Sequence, residues 1–138
     1  MISEIDILVR IIAATLFGLA VGTARRQHPH PAGLRTFAFI CLGSALYTIA
    51  SITIIGTDPG RVAAQVVTGV GFLGAGAIWK GKGVSTGLTT AAGIWATAAL
   101  GLLVGLGQWV AAIASLAIIL ALFHFKKFTR SKKKKKKK

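Results

Sequence analysis

Acidic side chains are the scarcest chemistry in this sequence: Glu4, Asp6 and Asp58 are the only ones, against 17 lysines and arginines. Two of the three fall in the first six positions, so paired carboxylates for general acid–base work and carboxylate clusters for a metal are both excluded at depth in the chain. The single cysteine, Cys41, rules out an intramolecular disulfide and a thiolate metal site, and its place in an apolar run suits a small packing residue. Only three prolines occur, two of them in the short stretch "HPHP" at 28–31, which leaves long segments free of helix breakers. No Ser/His/Asp or Cys/His arrangement emerges, so an enzyme is not expected, nor is a cofactor.

What fills the chain instead is apolar: 54% of the 138 residues are hydrophobic, 17 are glycine, and the mean hydropathy is +0.70. That is too apolar for an ordinary soluble domain and points to a membrane. A formal net charge of +14 would suit nucleic acid. Half of it, however, is one terminal lysine run, 132–138, and the rest punctuates apolar runs instead of covering a polar face, so no nucleic-acid partner is expected.

A bilayer core of about 30 Å needs about 20 helical residues. Five runs approach that length: Ile5 to Ala24, Leu34 to Ile55, Arg61 to Trp79, Leu88 to Gly107 and Gln108 to Phe125. The expected fold is an all-α membrane protein, a bundle of five spans over residues 1–125, with a basic, disordered cytoplasmic tail over 126–138. The first run lacks a basic leader and a cleavage site, so it is expected to remain in the mature protein. Arg25, Arg26 and Arg35 fall in the first connection, Lys80 and Lys82 in the third, and the remaining bases in the tail. Basic residues are retained on the cytoplasmic side, so the N-terminus is expected outside and the C-terminus inside the cell membrane.

The segment "GVGFLGAGAIWKGK" (69–82) matches both GxGxxG and GxxxxGK. Each pattern binds phosphate only on a strand-to-helix turn, whereas here the glycines lie inside an apolar span and Gly83 stands where a magnesium-holding Ser or Thr belongs, so nucleotide binding is not expected. The glycines have another use, because helices associate in lipid through small residues that let backbones approach. Ala14, Gly18 and Gly22 make one stripe, and Gly93, Thr97, Gly101 and Gly105 another. Gly69, Gly71, Gly74 and Gly76 are spread around the third span, which is therefore expected either to be closely surrounded in a compact, dimerising bundle or to be unwound beside a cavity.

Few polar residues enter the spans. Arg10 follows Asp6 by four residues, so the two share a helix face and can pair, although Arg10 is also near enough to the outer end to snorkel. Asp58 and Pro59 suit the N-cap and first turn of the third helix, with Arg61 beside them. Gln65 and Thr68 project from the same helix and could extend a polar path inward from Asp58. Ser85 to Thr90, "STGLTT", opens the fourth span, where hydroxyls can cap free N–H groups and Thr89 and Thr90 could face an anion or a partner side chain. His28 and His30 form too small a ligand set for a metal site, and His124 suits an interface.

Three ordered segments, "AGLRT" (32–36, with Arg35), "DPGRVAAQVVTGVGFLGAGAI" (58–78) and "GLTTAAGIWATAALGLLVGLG" (87–107), resemble the MgtC/SapB family of bacterial membrane proteins. The resemblance runs from Arg10 to Gly107 and implies a five-span bundle without enzymatic activity. It implies a virulence-associated role in magnesium limitation or ion and pH stress, exerted by modulating another membrane complex such as the F-type ATP synthase, or alternatively by transporting magnesium as a small cation transporter or channel. Expected partners are the lipid bilayer, such a complex and further copies of the chain. The chain departs from the family at Gly22-Thr-Ala-Arg25, where the family carries Gly-x-Glu-Arg, and its lysine ending places it with members that lack a soluble C-terminal domain.

Overall fold

The computed structural model describes residues 2–25, 32–53, 58–81 and 84–135. They form five helices, α1 (Glu4–Arg25), α2 (Leu34–Thr53), α3 (Pro59–Gly76), α4 (Leu88–Gly105) and α5 (Trp109–Lys135), each overlapping one of the five expected spans. Among them α1, α2 and α4 are each long and apolar enough to cross a bilayer, and α5 contributes a shorter apolar stretch, Trp109–His124. The chain is an all-α membrane protein with one addition, a hairpin of two short strands, β1 (Trp79–Gly81) and β2 (Val84–Thr86), joining α3 to α4. Trp79 pairs with Thr86 across it.

The helix starts follow local sequence. Ser3 Oγ accepts the Asp6 N–H at 3.2 Å, and Glu4 and Asp6 place negative charge in the first turn of α1, where the helix dipole favours it. Asp58 caps α3, its carboxylate accepting the Gly60 N–H at 2.9 Å, with Pro59 in the first turn. At α4 the N-cap is Gly87, at φ +96° and with no side chain to cap with, and Ser85 and Thr86 precede it in β2. A side chain at 87 would strike the Ala77 carbonyl, so glycine is needed there twice over. At the other end, α5 continues through Lys135, past Phe125, so the basic segment expected to be disordered is helical that far, in keeping with the good helix propensity of lysine and arginine.

α2 is the centre of the bundle, gripped by α1 on one side and α4 on the other. A Cβ at Gly18 would lie 2.7 Å from Ala38 Cα, one at Gly22 2.8 Å from Leu34 Cα, and one at Gly105 2.6 Å from Thr48 Cβ, so these backbones meet with no room for a methyl group. Phe37, Cys41 and Ala45 of α2 fill the core with Ala14, Val21, Ile94, Leu100 and Val104. Hydroxyls that face this apolar interior are satisfied locally: Thr48 donates to Ser44 O and Thr97 to Gly93 O, each one turn back. α3 lies to one side against α4 and α2, touching α4 where Gly74 meets Ala91.

Candidate functional site

Two buried arginines mark the two ends of the α1–α4 pair. Arg10 is 9% exposed, and its Nη1 donates to the Gly105 carbonyl at 2.7 Å while Nη2 pairs with Asp6 Oδ2 at 2.6 Å. The last four carbonyls of α4 are thereby all accounted for: Leu102 O accepts from Leu106 N, Leu103 O from Gln108 N, Val104 O from Gly107 N, and Gly105 O from Arg10. Gly107, at φ +74°, supplies the left-handed turn this ending requires and lies under the guanidinium, leaving it room. The cation also sits at the negative pole of α4.

Arg25 closes the other end. It is 5% exposed, its Nη2 donates to Thr90 Oγ1, and its guanidinium lies 5.5 Å from the centroid of the Phe123 ring of α5, which in turn meets Phe37 edge-on at 6.5 Å. One side chain thus joins α1, α4 and α5. Its Nε is buried without a partner among the described residues, as is that of Arg10. Unlike Arg10, Arg25 has no carboxylate within reach. The three acids of the chain lie at the opposite end, about 28 Å from Arg25 along α1 in the case of Asp6. Desolvation of a guanidinium without a counter-charge is costly in a membrane, which makes Arg25 a candidate functional position.

The candidates expected from sequence are distributed differently. Thr90 is fully buried against Arg25, whereas Thr89 is exposed. Asp58, Arg61, Gln65 and Thr68 are all exposed on or beside α3; Thr68 donates to Ala64 O at 3.0 Å, and Gln65 borders a cavity. That cavity is a groove of about 800 Å³ between α2 and α3, with Arg35 at one end and Tyr47 toward the other. Of the packing glycines, Gly18, Gly22, Gly93, Gly101 and Gly105 are buried in helix contacts, Gly93 against Phe123. Gly74 is in ordinary contact, and Gly69, Gly71 and Gly76 face open space with no neighbour within 4 Å of a Cβ, so α3 is neither closely surrounded nor unwound in this chain. Arg25 is the residue that sequence reasoning missed, having counted it as a loop charge. The available signal was its interval from Arg10, equal to that from Thr90 to Gly105. His28, His30 and Lys82 lie outside the described residues. Among the described residues no group of three or more His, Cys, Asp or Glu side chains could hold a metal.

Apolar helices packed through glycine and fastened at both ends by buried arginines define an integral membrane protein of the small-residue-packed kind. The chain belongs to the MgtC family, whose sequence profile matches residues 11–132. It is 43% identical over 113 residues to protein MgtC of Salmonella typhimurium, covering 82% of this chain and 49% of that protein. It is 42% identical over 130 residues to protein SapB of Bacillus subtilis, covering 87% and 56%. It is 41% identical over 131 residues to YhiD of Escherichia coli, named as a candidate magnesium transporter, covering 86% and 61%. The chain thus spans between about half and three fifths of the length of these curated relatives. No solved structure is significantly similar to it.

Proposed function

We propose that the chain is a multi-pass protein of the inner membrane that acts without chemistry of its own, adjusting the ion balance of the cell under magnesium limitation by docking on another membrane complex, the F-type ATP synthase being the one the family resemblance suggests. The observation that carries this reading is the uncovered face of α3. Ala64, Thr68, Gly71 and Ala75 make an exposed strip of small residues beside Phe72, which is 81% exposed. In lipid such a strip allows a second helix to approach closely, and Phe72 supplies a ring to pack against it. The placement of all three acids at one end of the bundle supports the same reading, since it leaves a cation no carboxylate partway across.

The test is ATP-driven proton pumping in inverted membrane vesicles that contain the synthase, with and without this protein. Pumping is expected to fall when the protein is present and to recover with Gly71→Leu, a change for which there is open space in the chain itself. Equal pumping with and without the protein would remove the proposal. A second reading, magnesium transport, is favoured by the name of the YhiD relative. Magnesium flux into liposomes that exceeds the empty control and is abolished by Asp58→Asn would establish transport in place of regulation.

A further inference from the structure

The groove between α2 and α3 has features that neither the bundle packing nor the proposed role uses. Its volume of about 800 Å³ is in the range of small-molecule sites, and its walls are largely apolar, formed by Phe39, Ile40, Val66, Val70 and Leu73 among others. Its floor is widened by two glycines on opposite walls, Gly43 and Gly69, neither of which has anything within 4 Å of where a Cβ would stand. The one charge on its lining is Arg35, exposed in the first turn of α2 with Thr36 beside it. Because α2 crosses the bilayer, its first turn lies at headgroup depth. The N–H groups of that turn and the positive end of the helix dipole add to the attraction Arg35 exerts on an anion.

We propose that this groove binds an anionic glycerophospholipid, with one acyl chain along the apolar walls from Arg35 toward Tyr47 and the phosphate held by Arg35 and the first turn of α2. The walls between those two residues follow about 18 Å of helix axis, which suits an extended chain and not a compact solute. Charge decides against a second copy of this protein as the occupant. Copies inserted in the same membrane share one orientation, so the acids of a neighbour, Glu4, Asp6 and Asp58, would stand at the far side of the bilayer from Arg35. Lipid phosphate is the anion present at the required depth, and a headgroup without an ammonium, as in phosphatidylglycerol, leaves its charge uncompensated and strengthens its hold on Arg35.

Native mass spectrometry of the full chain in mild detergent, titrated with phosphatidylglycerol or phosphatidylethanolamine of matched acyl chains, tests the site. The wild type is expected to retain phosphatidylglycerol at lipid concentrations about fivefold below those needed for phosphatidylethanolamine, and Arg35→Gln is expected to lose that preference. Gly69→Leu and, independently, Gly43→Leu fill the groove and are expected to lose both lipids with helical content by circular dichroism unchanged. The basic segment after Phe125 is common to all four proteins, so differences among them report the groove alone. Equal retention of the two lipids by the wild type, or undiminished phosphatidylglycerol on both leucine variants, would overturn the proposal, as would a dimer mass that the leucine variants abolish.

Discussion

Arg10 and Arg25 show how the same side chain can be buried in opposite electrostatic surroundings at the two ends of one helix pair. Arg10 is surrounded by acceptors, Asp6 Oδ2 and the last free carbonyl of α4, and it stands at the helix pole that attracts it. Arg10→Met leaves the Gly105 carbonyl without a donor in an apolar setting and is expected to lower unfolding stability by about 1–3 kcal/mol, measured by SDS titration of the detergent-solubilised protein. Arg25 has a hydroxyl, an aromatic face and no carboxylate, and it stands at the pole of α4 that repels it. Replacement of a costly buried charge by an apolar side chain of similar reach is often neutral or stabilising. Arg25→Met is expected to change stability by less than about 1 kcal/mol or to raise it, read from the same SDS titration. Equal losses of stability in the two variants would show that Arg25 is a second structural clamp. Only the Asp6–Arg10 half of this pattern was legible in the sequence, because an i,i+4 pair is written locally. The partners of the two guanidiniums on α4 lie 95 and 65 residues away, and no local periodicity encodes a contact of that separation.

At the scale of the helix, glycine has two opposite meanings in this chain. On α4, Gly101 lies against the Cys41 carbonyl and the Ser44 side chain, and Gly105 against Thr48, so each is the absence of a side chain that the α2 backbone requires. On α3, Gly71 and Gly76 meet nothing within the chain and loosen their helix. Alanine at 101 or 105 is therefore expected to destabilise through backbone separation, whereas alanine at 71 or 76 is expected to stabilise by about 0.5–1 kcal/mol through helix propensity alone, both read from the same SDS titration. Stabilisation at all four positions would mean that the α2–α4 contact is looser than its geometry indicates. The five helices could be read from run length, and the stripe of Gly93, Thr97, Gly101 and Gly105 from its spacing of four. Which face each stripe meets could not, since Gly93 turns out to abut Phe123 of α5 and Gly101 the backbone of α2. The β1–β2 hairpin escaped notice because strands of three residues fall below any periodicity that could reveal them.

For the molecule as a whole, the decisive asymmetry is electrostatic. Glu4, Asp6 and Asp58 share one end of the bundle, and Arg25, Arg35 and Lys80 belong to elements that end or begin at the other. Basic residues in short loops are held on the cytoplasmic side during insertion, so the end without acids is expected to face the cytoplasm, and with it the Arg35 mouth of the groove. That orientation places the proposed lipid site in the inner leaflet, where anionic headgroups create a negative surface potential. Labelling by a membrane-impermeant maleimide measures it directly. The native Cys41 is fully buried and silent, so single cysteines can be introduced at exposed positions at either end without removing it. Arg61→Cys, at the start of α3, is expected to label in intact cells, and Gly33→Cys, exposed before α2 with no neighbour within 4 Å, only in inverted vesicles. The reverse pattern would put Arg35 at the outer leaflet, and the lipid bound in the groove would then have to be drawn from the opposite side of the membrane.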